Sequence, residues 1–65
     1  MKNRLIREKE VLRLTGLTAS TLARLERAKN FPSRTRITTR TVAWSEEEVL
    51  DWVEQQINKR RGQDV

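Results

Sequence analysis

A glycine break followed at once by a hydroxyl-rich helix start dictates how this chain can turn. In Leu14-Thr15-Gly16-Leu17-Thr18-Ala19-Ser20-Thr21-Leu22-Ala23-Arg24-Leu25, Gly16 suits the sharp turn that ends one helix. Thr18 can accept a hydrogen bond from the free amide of Ser20 or Thr21 and so begin the next. Two helices joined by so short a turn meet at a steep angle, the helix-turn-helix arrangement, with Leu17 placed to plug the corner. The second helix starts with small hydroxyls and carries Arg24 and Arg27 away from Leu22 and Leu25, a surface that can lie in a DNA groove.

Composition limits what can be built around that corner. At 65 residues the chain makes one small domain, and a domain of this size buries only about 60% of the surface its unfolded chain exposes. There is no cysteine and no histidine, so disulfides, thiolate-metal sites and the commonest general base are all excluded. Carboxylate chemistry needs an enclosed substrate cavity, for which such a body has little room. The expectation is therefore a protein that is not an enzyme and carries no cofactor or metal. Residues 1–40 hold eleven Lys/Arg against three Asp/Glu, whereas residues 41–65 hold three against six, so the first part is the one that meets a polyanion. Nucleic acid and anionic membrane both satisfy that charge. No apolar run approaches the roughly 18 residues of a spanning helix, and no signal-peptide core follows Met1-Lys2-Asn3-Arg4, which favours nucleic acid in the cytoplasm and no membrane.

The remaining elements follow from spacing and caps. Val11, Leu14 and Leu17 stand at near-helical intervals, predicting helix one from Arg7 or Glu8 to Leu14, with Glu8 and Glu10 in its first turn and Arg13 in its last. Leu5 and Ile6 could form a short extended segment pairing with a later strand. Helix two is predicted from Ala19 to about Lys29, with Asn30 left-handed at its end, Pro32 holding the preceding residue out of a helix, and Phe31 packed over that end. Arg34–Thr38 and Arg40–Trp44, rich in β-branched residues, read as a β-hairpin and a candidate wing. Ile37, Val42 and Trp44 are expected to face inward and Arg34, Arg36 and Arg40 to stay wet. The turn near Thr38-Thr39-Arg40 lacks the Asn-Gly or Asp-Gly of the favoured two-residue hairpins. Ser45-Glu46-Glu47-Glu48 is a capping box that starts a third helix at Glu46. Val49, Trp52, Val53, Gln56 and Ile57 line one face of it, and fraying is expected near Asn58 to Arg60. The fold class is mainly α: a winged helix-turn-helix of three short helices with a two-stranded wing over residues 1–58, followed by a flexible basic tail over residues 59–65. Its core draws on Ile6, Val11, Leu14, Leu17, Leu22, Leu25, Phe31, Ile37, Val42, Trp44, Val49, Trp52, Val53 and Ile57.

Glu10-Val11, Thr15-Gly16-Leu17-Thr18, Ser20-Thr21-Leu22, Phe31-Pro32 and Trp44-Ser45 with Glu48-Val49 and Trp52 occur here in an order and spacing that resembles the AlpA family of small phage and prophage regulators, from roughly Arg4 to Ile57. That resemblance implies a winged helix-turn-helix akin to the DNA-binding heads of MerR-type regulators and to phage excisionases. It implies a role in a mobile element, either regulating transcription of integrase or excisionase genes or acting directly as an excisionase at attachment sites. The family usually has a basic residue where Ala19 stands, a tyrosine where Ala23 stands and a glycine in the wing turn. This chain therefore leaves more of the binding to Arg24, the small hydroxyls and the wing.

The candidate DNA-binding residues are Thr18, Ser20, Thr21, Arg24, Arg27, Arg34, Arg36 and Arg40. Exposed arginines are ordinarily a solvated face, here with Glu26 or Glu10 as a salt-bridge partner, but after a helix-turn-helix corner the planar fork of Arg24 suits guanine O6 and N7, and Arg27 can reach at least phosphate. Capping alone explains Thr18, while Ser20 and Thr21 can also bind phosphate at a helix start. Arg34, Arg36 and Arg40 could serve to keep an edge strand from pairing. Three arginines with no acid on one hairpin also fit phosphate or minor-groove contact. Trp44 and Trp52 read as core. The expected partner is double-stranded DNA, bound weakly by one module and hence through a homodimer or a cooperative array, with an integrase as a further partner. A protein-interaction module is the rival reading: Glu47, Asp51 and Glu54 of the third helix could dock a basic recombinase or polymerase subunit.

Overall fold

A computed structural model describes the backbone of residues 4–63 and the side chains of residues 4–60. Along the chain run β1 (Leu5–Ile6), α1 (Glu8–Thr15), α2 (Ala19–Arg27), β2 (Thr35–Thr38), β3 (Thr41–Ser45) and α3 (Glu46–Gln63). The strands form one antiparallel sheet in the order β1-β3-β2. Leu5–Ile6 is the predicted extended segment: Leu5 pairs with Ser45 and Ile6 with Trp44, which makes β3 the central strand. The architecture is a mainly helical fold with a β-hairpin, consistent with a winged helix-turn-helix.

The corner forms as its residue types require. Gly16 adopts φ 77° and its amide bonds to the Leu12 carbonyl at 2.8 Å. Thr15 braces the turn from within, its hydroxyl donating to the Val11 carbonyl at 2.8 Å and accepting from the Leu17 amide at 3.3 Å. Thr18 is the N-cap of α2, extended at φ −93°, ψ 163°. Of the two amides available to it, its oxygen takes that of Thr21, at 3.3 Å. Ser45 caps α3 by accepting from the Glu48 amide at 3.3 Å, and the three glutamates of that first turn complement the helix dipole. Arg7, ahead of α1, supplies no side-chain cap, and Glu8 and Glu10 in the first turn stand in for one electrostatically.

Three details differ from the sequence expectation. Helix α2 ends at Arg27, and the left-handed residue after it is Lys29, at φ 63°, instead of Asn30. The Lys29 amide bonds to the Glu26 carbonyl and the Asn30 amide to the Leu25 carbonyl, at 3.0 and 2.8 Å, the paired closure that places the left-handed residue one position earlier. Tertiary anchoring sets that phase, because the Asn30 carbonyl accepts the Trp52 indole N–H at 2.7 Å and Phe31 is buried. Ile37 is 46% exposed and outside the core. Thr38 pairs with Thr41 but Arg36 with Val42, so Ile37 is an extra, bulged residue. None of the residues from Thr38 to Thr41 has a positive φ, so the connection cannot take the primed turns that match strand twist. The bulge absorbs the mismatch and turns Ile37 to solvent. Finally, α3 continues to Gln63 without ending at Asn58 to Arg60.

Ile6, Val11, Leu22, Phe31, Trp44 and Val49 form the buried cluster, joined by half-buried Leu12, Leu14, Leu17, Leu25, Val42 and Trp52. Leu12 and the buried Ala43 are additions to the sequence-derived core. Val53 and Ile57 are half-buried. Phe31 meets Trp52 edge-on, with ring centroids 4.8 Å apart, which is the predicted packing over the end of α2.

Candidate nucleic-acid interface

Helix α2 separates two kinds of side chain by its period. Leu22 is fully buried, while Ser20, Arg24 and Arg27 are exposed. Spaced four and then three residues apart, those three stand in one row on the face opposite Leu22. Among the described residues neither Arg24 nor Arg27 has a carboxylate within ion-pair distance. Ala23, half-buried beside the row, adds no bulk, so the helix backbone can approach a groove closely.

At the start of α2 the hydroxyls converge. Thr18 accepts from the Thr21 amide and donates its own proton to the Thr21 hydroxyl at 3.0 Å, and Ser20 lies 3.4 Å from the Thr18 oxygen. Thr18 is thereby committed to the cap. The Thr21 hydroxyl, accepting from Thr18, keeps its proton for another acceptor, and Ser20 is exposed. A helix start with free amides and two donor hydroxyls is chemically suited to a phosphate oxygen.

The three wing arginines are not equivalent. Arg36 in β2 and Arg40 in the turn are exposed and unpaired with any described carboxylate. The Arg40 amide is held by the Thr38 hydroxyl at 3.4 Å. Arg34 instead lays its guanidinium on Glu26, with Nη2 at 2.6 Å and Nε at 3.2 Å from Oε1. It also covers the Trp44 ring at 4.8 Å from the centroid. Hydrogen bonding to Glu26 raises the Arg34 pKa, against an opposing effect of burial. A shallow cleft bordered by Ala23, Glu26, Arg27, Ser33 and Arg34 brings the base of the hairpin beside the Arg27 end of the α2 row. The hydroxyls of Thr18, Ser20 and Thr21 thus converge at the start of α2, Ser20, Arg24 and Arg27 share its exposed row, Arg34 borders the Arg27 end of that row, and Arg36 and Arg40 stand apart on the hairpin.

Glu26 pairs neither with Arg24 nor with Arg27, the partners its sequence position suggests, but with Arg34. Its Oε2 accepts the Trp44 indole N–H at 2.9 Å, so one carboxylate serves both the hairpin arginine and the buried tryptophan. The available signal was its isolation, since no other acid occurs between Glu10 and Glu46 in a strongly basic stretch. Among the described residues no cluster could hold a metal ion, and no helix is long and apolar enough to cross a membrane.

Comparison with known proteins adds a family context. The family model described as Prophage CP4-57 regulatory protein (AlpA) matches residues 4–57, the span that holds the corner, the hairpin and most of α3. The chain is 36% identical over 65 residues to the uncharacterized protein ORF88 of Enterobacteria phage P4, covering 98% of this chain and 74% of that protein. No solved structure matches it significantly.

Proposed function

Because the chain belongs to the AlpA family of prophage regulatory proteins, we propose that it is a sequence-specific double-stranded DNA-binding protein of a phage or mobile element that regulates transcription of integrase or excisionase genes. The observation that carries this reading is the row of Ser20, Arg24 and Arg27 on the exposed face of α2, directly after a capped helix-turn-helix corner. In this reading α2 enters the major groove, where Arg24 donates two hydrogen bonds to a guanine and Arg27 reaches a base or a phosphate. Ser20 and Thr21 bind the backbone phosphate nearest the helix start, with Thr18 holding that start in shape. Arg36 and Arg40 follow the backbone or enter the adjacent minor groove. So small a module makes few base contacts, so a homodimer or a cooperative array on repeated sites completes the affinity. Its work lies with its element's DNA in the cytoplasm.

A footprint on the DNA of its own element tests this. Protection at a promoter supports regulation of transcription, protection at an attachment site supports direct action as an excisionase beside an integrase, and no protection anywhere overturns the DNA reading. Arg24→Ala is expected to cost on the order of 1–3 kcal/mol on the protected sequence and to relax preference at one base pair. An equal loss on random duplex would sink its base-reading role. The acidic start of α3, with Glu47, Asp51 and Glu54 exposed, supports a second contact, to a basic surface of a recombinase or polymerase subunit.

A further inference from the structure

We infer that Glu26, Arg34 and Trp44 form a bracket that fixes the wing against the DNA-reading helix, and that Arg34 is a positioning residue rather than a phosphate ligand. This rests on the DNA-binding reading above and concerns how its two contact surfaces are held together. Glu26 belongs to α2, Arg34 immediately precedes β2, and Trp44 belongs to the central strand β3. The carboxylate takes two guanidinium donors on Oε1 and the indole N–H on Oε2, so its acceptor atoms face two different segments of the hairpin at once. Arg34 closes the triangle by lying over the Trp44 ring. Side-chain exposure is 42% for Arg34 and 13% for Glu26, and Trp44 is fully buried, so the bracket is most open to water at the arginine.

A carboxylate beside a polyanion is unfavourable unless its charge is cancelled, and Glu26 is the one acid between Glu10 and Glu46. Arg34 cancels it, and in doing so gives up the charge that would otherwise release counterions from DNA. The planar fork and the stacking on indole are properties of arginine that lysine does not reproduce. An arginine that acts only as a cation tolerates lysine, and one that acts as a two-sided clamp does not.

The test uses a duplex enriched from a random pool by the wild-type protein, a scrambled duplex of the same length, and a series of salt concentrations. Arg34→Lys and Arg34→Gln are each expected to lose about tenfold on the enriched duplex, while the slope of log K against log salt stays at the wild-type value in both. Glu26→Gln removes a negative charge and keeps an acceptor for Trp44. It is expected to bind the scrambled duplex at least as well as wild type but the enriched duplex more weakly, a loss of discrimination that neither charge nor unfolding produces. Wild-type affinity in Arg34→Lys, together with a shallower salt slope in Arg34→Gln, would show Arg34 to be a phosphate ligand and overturn the bracket alone. Failure of the wild-type protein to enrich any duplex would overturn the DNA reading and the bracket with it.

Discussion

Lys29 carries the most strained backbone among the described non-glycine residues, with φ 63° in a region where a Cβ crowds the following carbonyl. The strain persists because the neighbours on either side are fixed, Glu26 accepting from its amide and Asn30 holding the Trp52 indole. Lys29→Gly is therefore expected to raise stability by about 0.5–1 kcal/mol, the relief of strain exceeding the added freedom of the unfolded chain. Thermal unfolding should show Tm higher by a few degrees, and an unchanged Tm would mean the left-handed turn is relaxed as it stands. Gly16 offers the complementary case. A Cβ there would meet no atom within 4 Å, so Gly16→Ala isolates the backbone penalty and is expected to cost about 1 kcal/mol by the same measurement.

Among the elements, the hairpin is anchored through β3, whose Ala43, Trp44 and Ser45 are buried, while β2 is exposed along its whole length and Glu26 ties Arg34 and Trp44 to α2. Glu26→Ala leaves the indole N–H of the fully buried Trp44 without its acceptor and removes the partner of Arg34. The expected cost is on the order of 1–3 kcal/mol, and Glu26→Gln, which keeps an acceptor oxygen, is expected to cost distinctly less. Equal losses in chemical denaturation would show that the tryptophan bond contributes nothing. The bulge at Ile37 is the other feature of this element with a consequence. By inserting one residue it sets Arg36 opposite Val42 and twists the edge of the sheet, which with the arginine side chains discourages pairing to another chain.

For the whole molecule, charge is divided along the sequence, and the ion pair of Arg4 with Glu46 at 2.8 Å is one place where the fold joins the two parts. Among the described residues, bases without an ion pair lie on α2 and the hairpin (Arg24, Arg27, Arg36, Arg40), on or beside α1 (Arg7, Lys9, Arg13) and late in α3 (Lys59, Arg60), while the acids of the second part crowd the start of α3. On the proposed reading, the basic first part would steer this protein to DNA, and the acidic start of α3 would present a surface of opposite sign. Arg36→Gln is expected to weaken binding to every sequence alike and to make the salt slope shallower by about 0.9. An unaltered slope would remove Arg36 from the phosphate contacts. Duplexes with two adjacent sites are expected to fill more steeply than those with one, and identical isotherms would argue against an array.

Local chemistry alone determined the helix-turn-helix corner, the Ser45 cap and the segregation of Ser20, Arg24 and Arg27 from Leu22. In each of these the signal and the structure lie within one or two turns of chain: a glycine that can take positive φ, a hydroxyl within reach of an amide three residues on, a period that returns every fourth position. The pairing of Leu5–Ile6 was legible for a related reason, two apolar residues with no helical partner and a later strand to meet. Tertiary structure decided the rest. The end of α2 shifted because Trp52, distant in sequence, holds the Asn30 carbonyl, and Ile37 left the core because a two-residue connection without positive φ forces a bulge. Glu26 and Arg34 became partners across the gap between helix and hairpin, at 2.6 Å. No periodicity records such a contact, because it depends on where two elements come to rest and not on what either would do alone.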